Sequence, residues 1–223
     1  ETKKVEYHII YTEAELESWL EKLESSEYFS FDTETTSLNY MEAKIVGISL
    51  AIEPFKAVYI PLGHDYLGAP EQMNCEKTLQ KLKNILEDPY IFKLGQNLKY
   101  DMNVLKNYGI SLSGIKFDTM LESYVLDSVG SRHDMDSLAL KYLDAKTTSF
   151  EEVAGKGSSQ LTFNQIPLEV AAPYAAEDAD VTLRLHQNIH PLLENQIGPS
   201  RVFRSQTRFS YNRGQGIRDT SDP

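Results

Sequence analysis

The stretch FSFDTETTSL, residues 29–38, decides how the rest of the chain is read. It begins as a buried strand, with aromatic residues alternating at Phe29 and Phe31, and then sets Asp32 and Glu34 where the apolar pattern calls for more core. Side chains at i and i+2 of a strand share a face, so the two carboxylates point the same way. Like charges so close raise one another's pKa and destabilise the fold unless a counter-charge is present. Carboxylates are hard oxygen ligands, so Mg²⁺ or Mn²⁺ is the natural counter-ion. Taken alone, the pattern also fits two acids on a solvated strand end.

Outward from this strand the elements follow in order. Thr12 and Glu15 have capping-box spacing, and Leu16, Trp19, Leu20 and Leu23 carry the helical period, which predicts a helix over 13–25. The runs 29–34, 44–52 and 57–61 are rich in β-branched and aromatic residues and read as a three-strand meander. A helix is expected near 75–87, a short strand over 91–95, and a helix with Asn97 as N-cap closing near Gly109. From 117 the pattern is helical through FDTMLESYVLDS and MDSLALKYL, with EEVAGKGSSQ as a loop and a last helix from Pro173 to about Leu193. Strands first and helices around them imply an α/β fold, one mixed sheet covered on both faces. Residues 1–198 are read as one domain and 199–223, with five Arg, as an unassigned tail.

Composition narrows the classes. With 41% hydrophobic residues in 223, one domain can build a full core. The single cysteine, Cys75, rules out an internal disulfide and a multi-thiolate zinc site and suits a reducing compartment. No apolar run reaches the roughly 18 residues a membrane span needs, and ETKKVEYHII lacks signal-peptide character, so a cytoplasmic, membrane-free location is expected. The first residue is not Met, which suggests a piece of a longer chain. A net charge of −11 argues against a broad basic footprint on nucleic acid, so a nucleic-acid enzyme built this way must obtain positive charge elsewhere.

Two further acids extend the opening pair. GQNLKYD, 95–101, places Asp101 in the first turns of a helix after a short strand, and YAAEDAD, 174–180, sets Tyr174 and Asp178 four apart on one helix face. Other motifs fail. The AGKGSS loop lacks the first P-loop glycine, because that position is Phe150. Asp134 and Asp136 do not continue as a calcium loop. His8, His64, His133, His186 and His190 form no convincing ligand spacing, with His186 and His190 expected as packing or surface groups.

The order D-x-E, N-x-x-x-D, Y-x-x-x-D resembles the three motifs of the DEDD exonuclease superfamily, whose fold is ribonuclease-H-like, a mixed five-stranded sheet flanked by helices. The tyrosine marks the DEDDy branch; the DEDDh branch has His where this chain has Pro173. FDTETTSL, YIPLGHDYL, KLGQNLKYD, FDTMLESYVL, RHDMDSLA, LTFNQI and YAAEDADVT resemble the Klenow-type proofreading 3′→5′ exonuclease domain of bacterial family A polymerases, over about residues 5 to 195. The resemblance implies two divalent cations, Mg²⁺ or Mn²⁺ with Zn²⁺ possible at one site. Asp32, Glu34 and Asp178 would hold one ion, and Asp32, with Asp101 through water, the other. Tyr174, assisted by Glu34, would orient the attacking water. Leu38 would wedge against terminal bases, Phe150 would stack, and Gln96, Asn97, Lys99, Tyr100 and Arg132 would line the path of a single-stranded DNA 3′ end. A polymerase domain in the same longer chain and a place in the bacterial cytoplasm, at the nucleoid, are implied too. A catalytically silent scaffold and an RNase D-like enzyme acting on RNA are the alternatives. Pro173 is expected to open the last helix, leaving Tyr174 in its first turn.

Overall fold

Four residues that the sequence reading passes over, Glu6–Ile9, form the first strand, β1. The computed structural model describes residues 4–129 and 132–197, so the 199–223 tail lies outside the described residues. Helix α1 (Glu13–Ser25) opens on the expected capping box: Thr12 Oγ1 accepts from Glu15 N–H, and Glu15 Oε2 accepts from Thr12 N–H. The meander follows as β2 (Tyr28–Thr35), β3 (Ile45–Glu53) and β4 (Lys56–Pro61), each within two residues of the expected limits. Helix α2 (Cys75–Glu87) and strand β5 (Phe92–Gly95) come next. Then come α3 (Lys99–Lys106), β6 (Ile115–Asp118), α4 (Thr119–Leu126), α5 (Met135–Leu143), α6 (Phe150–Ala154) and α7 (Leu168–Ile197).

The sheet is mixed, as expected, but has six strands where five were expected, in the order β1-β4-β3-β2-β5-β6. β2, β3 and β4 run antiparallel to their neighbours within the meander, while β1 pairs β4, β5 pairs β2 and β6 pairs β5 in parallel. The alternation of β2 and β3 sorts the layers. Phe29, Phe31, Ile48 and Leu50 pack in one core with Leu16 and Leu23 of α1, Leu79 and Leu82 of α2, and Val104 and Leu105 of α3. On the opposite face, Val46, Tyr59 and Ala51 meet the alanines of α7. Ala171, Ala172, Ala175, Ala176 and Ala179 are buried and small, so α7 lies close against the sheet.

Three expectations are corrected. Asn97 does not cap α3 with its side chain; it sits at φ 60°, in the left-handed region that Asn tolerates, and Leu98 occupies the cap position. No side chain caps α3; Asp118 holds the turn that enters it, accepting from the N–H groups of Asn97 and Leu98, and caps α4 by accepting from those of Met120 and Leu121. The segment EEVAG is not loop but part of α6, opened by Ser149, whose N–H and hydroxyl both donate to Glu152 Oε2. Pro173 does not begin the last helix. α7 starts five residues earlier at Leu168 and runs through both Pro173 and Pro191.

Candidate active site

Asp32 and Glu34 stand on the face of β2 that α7 covers, since Phe29 and Phe31 belong to the opposite core. Their partners on β3 are Ser49 and Gly47, small residues that leave room beneath the helix. Gly47 is required by the next strand as well: a Cβ there would stand 2.1 Å from the Tyr59 hydroxyl. β2 bulges between Glu34 and Thr35, just past the acids, and pairing resumes at Thr35↔Ile45.

Asp101 enters from the other side. β5 pairs with β2 only through Ser30↔Leu94, so further along the β5 side of β2 is open. Thr33 uses that opening: its N–H donates to Asp101 Oδ1 at 3.0 Å and its hydroxyl donates to the same oxygen at 2.6 Å. The site therefore lies at the carboxyl ends of the parallel pair β2 and β5, where α/β sheets place their ligands. Asp178 comes from α7, one turn after Tyr174, and its charge helps to raise the Tyr174 phenol. Carboxylate oxygens of Asp32, Glu34 and Asp178 lie within 4.8 Å of one another.

Electrostatics make this cluster costly on its own. Burial pushes Asp32 up to about 6. Burial, then the charges of Asp32, Asp178 and Asp101, hold Glu34 well above the usual carboxylate range. Asp101 is raised by burial and by Asp32, against the two Thr33 bonds that favour its charged form. Asp178 is raised by burial and by the charges of Asp32, Glu177 and Asp136. Glu34 Oε1 is buried and, among the described residues, has no hydrogen-bond partner. An orphaned carboxylate oxygen among three other acids fits a hard divalent cation, which would satisfy the oxygen and offset the repulsion.

The acids of YAAEDAD divide their work. Asp178 faces the cluster, whereas Asp180 accepts from the Tyr7 hydroxyl, the Phe55 N–H and Arg184, and Glu177 accepts from the Thr148 N–H. Tyr174 is held by Phe163 and Phe150, with ring centroids at 6.0 and 6.3 Å. Burial and the charges of Asp178, Glu34 and Asp32 raise its phenol strongly, so it stands there as a protonated donor.

The remaining expected residues fall into two groups. Leu38 is 96% exposed and Phe150 is 37% exposed, as bare as stacking groups must be, and Asn97 and Lys99 are exposed too. The others are tied into the protein. Tyr100 donates to the Ser37 carbonyl and bonds Thr35, which anchors the turn carrying Leu38. Gln96 donates to the His133 carbonyl and accepts from Thr119. Arg132 pairs with Asp134 at 3.1 Å. The sequence reading missed Thr33, which aims Asp101, and the buried Tyr59–His64 pair, 2.8 Å apart, which packs with Phe163 behind Tyr174. Alternation along β2 marks Thr33 as pointing away from Asp32, but nothing local signals its partner 68 residues on.

Comparison with known proteins agrees with this geometry. A family model described as 3′-5′ exonuclease matches residues 7–194. DNA polymerase I of Pseudomonas aeruginosa is 55% identical over 193 residues, covering 86% of this chain and 21% of that protein. The chain spans about a fifth of the length of the curated relatives it matches. Among solved structures, RNase D of Trypanosoma brucei shares the fold at a TM-score of 0.70 and 16% identity, over 98% of this chain and 77% of that one. Brucella melitensis NrnC with bound Mg²⁺ does so at 0.59 and 18%, over 98% of this chain and 100% of that one. With its sheet, its four acids and its tyrosine in this arrangement, the chain belongs to the 3′-5′ exonuclease family, as an exonuclease domain of the DNA polymerase I type.

Proposed function

We propose that this domain removes 5′-mononucleotides from the 3′ end of single-stranded or frayed DNA, as the proofreading activity of a longer chain that also carries a polymerase domain. The observation that carries the reading is the group of half-buried Asp32 and Glu34 with Asp178, around a Glu34 Oε1 that has no hydrogen-bond partner among the described residues. Its 55% identity to a DNA polymerase I favours DNA as substrate.

Asp32, Glu34 and Asp178 would hold one Mg²⁺ or Mn²⁺, with Zn²⁺ also admissible, and Asp32 with Asp101 a second. Bound there, such ions supply a water of lowered pKa and positive charge at the leaving oxygen. The rest is done by the chain's own groups. Tyr174, protonated and packed on two phenylalanines, donates a hydrogen bond that fixes the attacking water, with Glu34 as acceptor on its other side. Thr33 keeps the Asp101 carboxylate aimed. Leu38 on its Tyr100-anchored turn and Phe150 beside Tyr174 offer apolar surfaces to the last bases, with Lys99, Asn97, Gln96 and Arg132 along the strand. Stacking of this kind tolerates any base, as removal of a misincorporated nucleotide requires.

A solved structure named RNase D has the same fold, so the sugar is the variable to test. Matched single-stranded DNA and RNA, each labelled at the 5′ end, are digested with Mn²⁺, and the released product is identified. The expected result is a descending ladder on DNA with 5′-mononucleotides released and at least tenfold slower loss of RNA. Equal or faster RNA digestion would replace the proofreading reading with an RNA-processing one.

A further inference from the structure

The structure brings His186 and His190, expected as packing or surface groups, together with Glu122, which the sequence reading did not single out. His186 and His190, one turn apart on α7, both turn Nδ1 toward Glu122 of α4. His186 Nδ1 lies 2.9 and 3.1 Å from the two Glu122 oxygens, and His190 Nδ1 lies 3.0 Å from Oε1. The three donor atoms all fall within 4.8 Å of one another. The Glu122 side chain is fully buried and that of His186 nearly so, against Tyr28 and Phe117. This group is separate from the acidic cluster: at 1.5 Å per residue, His186 and His190 lie about 12 and 18 Å beyond Asp178 along α7.

We propose that Glu122, His186 and His190 form a second metal site that takes Zn²⁺ or a similar transition-metal ion and pins α4 to the second half of α7. Two imidazoles and one carboxylate, with a water completing four positions, form a donor set that suits zinc and does not suit Mg²⁺. The two sites therefore differ in donor set, all carboxylate oxygen in the acidic cluster and two nitrogens with one carboxylate here. Four-coordinate zinc with bonds near 2.0–2.1 Å spaces its ligand atoms by roughly 3.3 Å, and the three donor atoms here already lie within 4.8 Å of one another. Coordination through Nδ1 puts the ring proton on Nε2. For His190 that nitrogen lies 3.7 Å from Glu194 Oε1, a carboxylate placed to orient a metal-bound imidazole from behind.

The test is Zn²⁺ titration by calorimetry of the whole chain carrying Asp32→Asn and Asp178→Asn, which disables the acidic cluster, with and without His190→Gln. The expected result is one zinc per chain in the first protein and affinity at least tenfold weaker in the second. In a second measurement, Co²⁺ bound to the first protein should give the strong visible absorption of a four-coordinate site. Absence of zinc binding in the first protein, unchanged affinity after His190→Gln, or the weak spectrum of six-coordinate cobalt would each reduce the trio to hydrogen bonds alone. Circular dichroism confirms that both proteins are folded.

Discussion

Asp32 carries the cost of the site in its own titration. Its carboxyl has a value of 3.8 when unfolded and is raised to about 6 by burial, so the folded chain holds the proton more tightly than the unfolded one. Its contribution to stability is complete below about pH 3.8 and is lost as pH rises through 6. The metal-free protein should therefore lose thermal stability between pH 5 and pH 7.5 relative to Asp32→Asn. Mg²⁺ or Mn²⁺ should restore it in the parent only. The relief expected in the variant at pH 7.5 is about 1–2 kcal/mol, or ~2–8 °C in Tm for a chain of this size. Thermal melts with and without EDTA check this, and a parent that stays as stable as the variant at pH 7.5 would contradict it. Tyr174→Phe keeps the ring packing and removes the donor. We expect kcat to fall by roughly 10- to 100-fold with Mn²⁺ affinity unchanged, measured by single-turnover kinetics beside calorimetry.

At the scale of elements, two joints hold the acids in place. Asp118 closes β6, caps α4 and holds the turn that enters α3, which carries Asp101. Asp118→Ala should cost about 1–4 kcal/mol in chemical denaturation, one lost cap together with the lost bonds to the α3 entrance. A cost under about 0.5 kcal/mol would show that water serves these N–H groups equally well. Pro173 lies inside α7 and has no N–H to offer the carbonyl one turn back. Pro173→Ala should stabilise the protein by ~1–3 kcal/mol in the same assay, because the missing bond can then form. Legibility in the sequence followed the length of each pattern. α1 and α2 match their expected limits because the capping box at Thr12 and a full apolar period are local signals. Strand β1 escaped notice because none of its residues is fully buried, and β6 because Phe117 and Asp118 were read as the start of the helical run FDTMLESYVLDS. Helix α6 carried a readable signal, Ser149 and Glu152 at capping-box spacing, but it was outweighed by the glycines of AGKGSS. α7 was cut short because Pro173 was taken as a start, whereas the buried alanines on both sides of it hold the helix through the interruption. The acids and Tyr174 were legible because their spacings are strand and helix periods. Glu122 with His186 and His190 was not, because 64 residues separate the halves of that group.

The molecule as a whole is acidic, with a net charge of −11, and Asp32, Glu34 and Asp178 gather within 4.8 Å of one another, where the proposed function needs a polyanion to be cut. Those facts are compatible only if positive charge is brought to the cluster by ions. No described helix is long and apolar enough to cross a membrane. The proposed function requires that the four carboxylates act through a divalent cation on the 3′ end of a strand. The most direct measurement is digestion of a 5′-labelled single-stranded DNA by the parent and by Asp101→Ala, each with Mg²⁺ or Mn²⁺ and each with EDTA, after circular dichroism shows both folded. The account predicts a descending ladder for the parent with metal, none with EDTA, and a rate at least 100-fold lower for the variant. An intact oligonucleotide from the folded parent under every metal, or equal digestion by Asp101→Ala, would contradict it.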